Sequence, residues 1–227
     1  MSNVSPVILI LGAGPNVGQH VADEFSTNGY KTALVSRNVT GQDNENQINI
    51  AADLSDPDSV PEIFSKVEAA LGIPSVVVYN AAALTITDAE DPLSISVSDF
   101  NRDLVINTTS ALAAAKYAAS GFEQLPESAS KTFIYTGNVL NTTAIAPFLS
   151  LGVGKSASAH FIQVAAEAYV GRGYQFYYAD ERKADGSNVG RGISGDAHAK
   201  FYFQLSEVIS QGPWHQTFVK DVGYKKF

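Results

Sequence analysis

Cysteine is absent from the chain, which also has only one methionine and one tryptophan. Without thiols there is no disulfide framework, no thiolate nucleophile and no thiolate metal centre. Histidine is scarce as well: His20, His160, His198 and His215 lack metal-ligand spacing, so no metal is expected. No apolar run approaches the ~20 residues that cross a bilayer. No basic stretch precedes the first apolar run, so neither a signal peptide nor a membrane partner is expected. Positive charge is in deficit, with 15 Lys and Arg against 23 Asp and Glu and a net charge of −8. Nucleic acids and anionic membranes bind clustered Lys and Arg, and neither is an expected partner. Disorder is excluded by 45% hydrophobic against 17% charged residues. The 227 residues suffice for one full-sized core. The expectation is a cytoplasmic, enzyme-like domain acting on a small molecule.

What is present is organised around Val7-Ile8-Leu9-Ile10-Leu11-Gly12-Ala13-Gly14-Pro15-Asn16-Val17-Gly18. Apolar residues run from Val7 to Leu11 without alternation, as in a strand covered on both faces of a parallel sheet. Gly12, Gly14 and Gly18 then punctuate a turn, and Val17, Val21, Ala22 and Phe25 recur at helical spacing. Such a turn lets backbone approach a pyrophosphate, whose charge is favoured by free N–H groups at the helix N-terminus. Ordinary strand-to-helix turns can also be glycine-rich. The position at the first βα turn, ahead of further βα units, favours the dinucleotide reading.

Asn28-Gly29 is a helix stop, and 31–36 reads as the second strand. Arg37 follows at once, with no Asp or Glu at the strand end. A carboxylate there would bond the ribose 2′-hydroxyl of NAD, whereas Arg can pair with the 2′-phosphate of NADP. The plainer alternative is a solvated surface Arg. Ile48 to Ala52 is a short strand ending in Asp53-Leu54, and Ser55 or Asp56 is expected to cap a helix reaching Leu71. Ser75 to Tyr79 is strongly strand-like and leads into Asn80-Ala81-Ala82-Ala83. A long helix is expected from Pro92 to about Ser120, with Leu104, Val105, Leu112, Ala115 and Ala119 as its apolar stripe. Lys131 to Asn138 is a strand and its exit, 150–171 a helix, and Gln175 to Ala179 a strand. A glycine-rich excursion over about 180–195 precedes a helix from Ala197 to Ser210 and an edge strand, Gln216 to Val219. The alternation predicts an α/β fold: one doubly wound parallel sheet, a single domain over 1–227.

With these residues in view, the chain resembles the short-chain dehydrogenase/reductase superfamily over nearly its whole length. The family's first turn reads Thr-Gly-x-x-x-Gly-x-Gly. Gly12 and Gly18 match the outer glycines, and Asn16 replaces the middle one with a residue that tolerates φ > 0. Asp53, beside Leu54, matches the acid that contacts adenine; Asn80-Ala81-Ala82 is similar to the family's Asn-Ala-Gly. Asn107 matches the Asn that supports the family's proton relay. The resemblance implies a Rossmann fold and an oxidoreductase, and with Arg37 it implies NADP(H) rather than NAD(H). Gly12, Gly14, Asn16, Val17 and Gly18 would then lie at the pyrophosphate and Arg37 at the 2′-phosphate. Asp53 and Leu54 would lie at the adenine, Asn80 and Ala81 by the adenosine ribose, and Lys155 on the nicotinamide ribose. The family commonly pairs subunits through its two long helices. Small residues at Gly152, Gly154, Ala157 and Ala159 suit close packing, so a homodimer or homotetramer is expected.

The catalytic signature departs from the family's Ser and Tyr-x-x-x-Lys. Lys155 fits the lysine, Leu151 stands where the acid–base tyrosine belongs, and Asn138 stands in place of the serine. No tyrosine occurs between Tyr135 and Tyr169 to rescue the motif. Hydride delivery to a carbonyl leaves an alkoxide that must be protonated, and a leucine has no proton to give. Asn138 can offer an amide N–H to an oxyanion. Three readings stay open. One is a reductase with a relocated donor: Tyr177, Tyr178 and Asp180 are nearest, and Tyr178 joins Lys155, Asn138 and Asn107 as the catalytic candidates. Another is a reductase of an iminium ion or activated alkene that needs no donor. The third is a dinucleotide-binding protein without redox turnover, a sensor or a scaffold for cyclisation or isomerisation. The 180–195 excursion stands where the family carries its substrate lid, and Arg182, Lys183 and Arg191 suit a flap over an acidic group. His198 is a further acid candidate, a helix-surface histidine being the plainer reading.

Overall fold

A computed structural model describes residues 5–39 and 41–227. Residues 1–4 and 40, included in the expected domain, lie outside the described residues. The strands are β1 (Val7–Leu11), β2 (Lys31–Ser36), β3 (Gln47–Ala51), β4 (Val76–Tyr79), β5 (Thr132–Thr136), β6 (Gln175–Arg182), β7 (His215–Val219) and β8 (Gly223–Tyr224). They form one sheet in the order β3-β2-β1-β4-β5-β6-β7-β8. All neighbours pair in parallel except β7 with β8. The chain steps outward from β1 to β3 and returns to β4, so a crevice opens beyond the carboxyl ends of β1 and β4.

The helices are α1 (Val17–Thr27), α2 (Ser59–Ala70), α3 (Val97–Leu104), α4 (Ser110–Phe122), α5 (Leu149–Ala168) and α6 (Gly195–Glu207). Leu9, Leu11, Val77, Tyr79, Phe133 and Tyr135 pack with α2, α4 and α5 on one face of the sheet. Ile8, Ile10, Val76, Val78 and Ile134 pack with α1 and α6 on the other. Both faces are covered, which is why the strand runs do not alternate. Full burial of each such side chain contributes about 1.5–3 kcal/mol relative to exposure. Among the described residues no helix is long and apolar enough to cross a membrane.

Three differences from the expected elements bear on the site. The helix expected from Ser55 or Asp56 starts at Ser59, because Asp53 and Asp56 accept the N–H groups of Ser55 (2.9 Å) and Asp58 (3.1 Å). These local turns compete with helix formation. The long helix begins at Val97, where Ser96 Oγ accepts the Asp99 N–H at 3.0 Å, and it is interrupted by a π turn over Val105–Thr109. A π turn adds one residue to the helical repeat and rotates the helix beyond it. The buried stripe is therefore Ala111, Ala114, Ala115, Ala118 and Phe122, while Leu112 stays exposed. Finally, β6 runs on to Arg182, so Asp180, Glu181 and Arg182 are buried strand residues rather than part of a lid.

Candidate functional site

The glycine turn is held open by its own hydrogen bonds. The N–H groups of Gly12 and Ala13 both donate to Val35 O, at 2.9 and 2.8 Å. Gly12 has φ of 95°, and a Cβ there would come within 2.7 Å of Ala81 Cα. A Cβ on Gly18 would lie 2.6 Å from Ala13 Cα, so this glycine permits the helix to approach the turn. Gly14 differs: a Cβ there would meet nothing within 4 Å, so its face is open. The N–H groups of Val17 and Gly18 begin α1 and have no helical carbonyl to bond, and no acidic residue stands in that first turn. Asn80 Nδ2 donates to Gly12 O at 2.8 Å, while the Asn80 and Ala81 N–H groups donate to Leu11 O. These two residues brace the turn from the exit of β4. An open cradle with free donors and no carboxylate fits a pyrophosphate.

Asn16 is a correction. Its φ is −93°, so it does not take the left-handed conformation expected of a glycine substitute. Its side chain ties the turn to the segment before α6, donating to Ile193 O and accepting from the Gly195 N–H, both at 3.1 Å. At the ends of β2 and β3, Arg37 is exposed and close enough to act on Asp53. The backbone and hydroxyl of Ser55, then the Arg37 charge, hold the Asp53 carboxyl below its usual range. Leu54 is buried, and its carbonyl accepts from Ser110 Oγ at 2.7 Å.

At the other end of the crevice, the π turn presents Asn107. Its side chain accepts the Ala83 N–H at 3.0 Å and donates to Ala83 O at 2.8 Å, which pins the segment after β4. Its carbonyl accepts from Tyr135 Oη (2.8 Å) and Ser158 Oγ (2.7 Å), and Tyr79 Oη donates to Ile106 O at 2.6 Å. Buried Asp103 accepts from the Thr85 N–H at 2.6 Å and Ser150 Oγ at 2.7 Å, clamping the same segment to α5. Lys155 is 3% exposed; its Nζ donates to Thr136 O at 2.7 Å and lies 4.4 Å from the Tyr135 ring centre. Burial lowers its pKa to about 7, against the opposing pull of Asp180. Asn138 Oδ1 accepts the Leu140 N–H at 3.0 Å, which leaves its Nδ2 donors uncommitted to that turn.

Tyr178 is not placed as a relocated donor. Its ring is fully buried, and its hydroxyl donates to Asn138 O (2.8 Å) and accepts the Asn138 N–H (3.1 Å). Tyr177 belongs to the opposite face of the sheet. Asp180 is paired with Arg182 at 2.6 Å, and Arg182 Nη1 also donates to Gly186 O, so this arginine is not free to clamp a substrate. The segment expected as a lid is tied at its tip: Lys225 Nζ donates to Ala184 O at 2.7 Å. His198 is buried, not on a helix surface, and packs against Tyr202 and Phe218. Burial lowers its pKa to about 4, so it is a neutral imidazole donating from Nδ1 to Ser194 O. Its 3.5 Å contact with Glu181 is consequently no ion pair. Sequence reasoning missed Asp103, Tyr135, Ser150 and Ser158. Ser158 alone carried a signal, since it shares one helix face with Leu151 and Lys155.

The family profile described as enoyl-(acyl carrier protein) reductase matches residues 12–177, from the glycine turn into β6. The short-chain dehydrogenase/reductase dmxR12 of Cryptosporiopsis sp. (strain 8999) is 51% identical over 234 residues, covering 98% of this chain and 95% of that protein. The chain belongs to the short-chain dehydrogenase/reductase superfamily. Solved short-chain dehydrogenase/reductase structures share its fold at low identity. A metagenomic short-chain oxidoreductase in complex with NADP superposes with a TM-score of 0.81 at 17% identity, covering 97% of this chain and 100% of that one. ElxO with NADP bound gives 0.79 at 18% identity, covering 95% and 97%. The short-chain dehydrogenase/reductase from Serratia marcescens BCRC 10948 gives 0.74 at 15%, covering 95% and 96%.

Proposed function

We propose that the protein is an NADP(H)-dependent oxidoreductase acting on a small carbonyl, imine or activated alkene. The observation that carries the coenzyme choice is exposed Arg37 just past β2, close enough to act on Asp53 and two residues beyond Val35, whose carbonyl holds the glycine turn. Gly12, Gly14, Val17 and Gly18 hold the pyrophosphate, with Asn16 fixing the turn around it. Arg37 takes the 2′-phosphate, Asp53 and Leu54 border the adenine, Asn80 and Ala81 the adenosine ribose, and Lys155 the nicotinamide ribose. When bound, the coenzyme supplies a hydride at its nicotinamide ring. Asn138 Nδ2 is oriented by its Leu140 bond to donate to a developing oxyanion. Asn107 fixes the wall of the pocket through Ala83.

Calorimetry tests the coenzyme assignment. Arg37→Ala removes charge-assisted bonds worth about 1.5–3 kcal/mol, expected to weaken NADPH tenfold or more and leave NADH unchanged. Equal loss for both coenzymes, or none, contradicts the assignment. NADPH consumption against aldehydes, ketones, quinones and cyclic imines tests the chemistry. Leu151 favours a second reading, a coenzyme-binding sensor or scaffold without redox turnover, which tight NADPH binding with no turnover on the panel would support.

A further inference from the structure

We infer that Lys155 is itself the acid–base residue of this site, its ammonium giving the proton that a tyrosine would otherwise supply. This inference rests on the oxidoreductase reading above.

Leu151, Lys155 and Ser158 lie on one face of α5, separated by four and then three residues. Leucine leaves no competing acid one turn before Lys155. The phenols and the serine on this side are committed to backbone, Tyr79 to Ile106 O, Tyr135 and Ser158 to Asn107 O, Tyr178 to Asn138 O, and Thr136 Oγ1, an aliphatic hydroxyl far too weak an acid to serve, accepts from Tyr202. The Asn138 amide is a donor but not an acid at neutral pH. His198 packs with the α6 side of the sheet, and His215 lies on β7, two strands from the β5 exit that carries Asn138. Lys155 Nζ has three donors and gives one to Thr136 O.

The charged groups on elements facing α5 are few. Asp180 on β6 favours the ammonium but is itself paired with Arg182. Asp103 on α3 is bonded to Ser150, Thr85 and Arg102. Burial outweighs the Asp180 attraction and brings the Lys155 pKa to about 7. Ammonium and amine are then both populated at neutral pH, the condition under which a group can donate and be recharged.

For a carbonyl substrate reduced by the nicotinamide coenzyme, the oxygen gains an electron pair as the carbon accepts hydride. One Lys155 N–H bond breaks, the new O–H bond forms, and the N–H electron pair stays on Nζ. The neutral amine then takes a proton from water. In the reverse direction the amine is the base, so reduction falls and oxidation rises with pH about the same midpoint.

The test combines kinetics with a titration that needs no coenzyme. Lys155→Arg keeps the charge and the donors but cannot release a proton near neutrality. Measured at saturating NADPH, so that any loss of ribose binding is separated from the chemical step, it is expected to lose about 100-fold or more in kcat. Adding Leu151→Tyr to Lys155→Arg is expected to restore at least about tenfold through the new phenol. In the wild-type protein labelled with ¹³Cε-lysine, one resonance should titrate near pH 7 and be missing from Lys155→Arg. Full kcat in Lys155→Arg, or a Lys155 resonance titrating above about pH 9, overturns the inference while leaving the oxidoreductase reading intact. Wild-type NADPH binding without turnover overturns that reading, and this inference with it.

Discussion

At Gly12 two constraints meet on one Cα: φ of 95° and the approach of Ala81. Gly12→Ala must strain the backbone and push on β4's exit, so a loss of about 2–4 kcal/mol is expected in urea unfolding. A loss below about 0.5 kcal/mol would show the turn is not so constrained. His198 makes a pH-dependent contribution of opposite kind. Its folded pKa of about 4 lies below the 6.5 of a free imidazole. The unfolded chain therefore binds a proton that the folded chain refuses, and stability falls as pH drops from 6.5 to 4. The loss is roughly 3 kcal/mol at most, and His198→Gln is expected to flatten the wild-type slope over that window. Identical slopes would mean that His198 titrates freely in the fold. Neither the burial of His198 nor the negative φ of Asn16 was legible in the sequence. Both depend on the segment before α6, where Ser194 meets His198 and Ile193 and Gly195 meet Asn16.

Among the elements, the π turn over 105–109 does the most to shape the site. Side chains donate to two of its carbonyls, Tyr79 to Ile106 O and Tyr135 and Ser158 to Asn107 O. The rings of Tyr79, Tyr135 and Tyr178 stack across adjacent strands, centres 5.8 and 5.6 Å apart, and so present their hydroxyls in a row. Tyr135→Phe and Ser158→Ala each leave one side-chain donor on the Asn107 carbonyl. Each is expected to cost about 1 kcal/mol, and the double variant about 1–2 kcal/mol more than the sum, because the buried carbonyl then loses both side-chain donors. Additive losses in urea unfolding would show that water replaces the missing hydroxyl. The one-residue slip of the apolar stripe after Asn107 has the same origin: helical periodicity in the sequence assumes an uninterrupted repeat.

For the whole molecule, apolar side chains remain exposed on the outer faces of α4 and α5, at Leu112, Val153 and Val164. An apolar recess of about 860 Å³ adjoins Val153 on the side of α5 turned away from Lys155, lined by Leu140, Ile145, Phe148 and Gly152. Gly154 and Ala159, expected on the pairing surface, are instead buried within the subunit; a homodimer or homotetramer paired through the two long helices would have to bury Leu112, Val153 and Val164. Light scattering should give the mass of two or four copies for wild type. Val164→Asp places a charge in the proposed contact and should yield single copies with an unchanged NADPH affinity, since α5 presents Lys155 from another face. A wild-type protein that elutes as single copies at micromolar concentration would contradict the pairing.

The order of strands and helices, the glycine turn and the lack of any tyrosine between Tyr135 and Tyr169 are properties of the sequence alone. Each is local: an apolar run, a missing Cβ or a missing hydroxyl has the same meaning wherever the chain goes. The fate of the hydroxyls that remain is different. Tyr178 is spent on Asn138 and Tyr135 on Asn107, Arg182 is taken by Asp180, and Asp103 joins Thr85 to Ser150. These partners are far apart in the chain and meet only when the sheet closes under α5. Which polar groups are used up, and which one keeps a proton, was decided by the tertiary structure, because hydrogen bonding and burial depend on what lies within about 3 Å in space rather than in sequence.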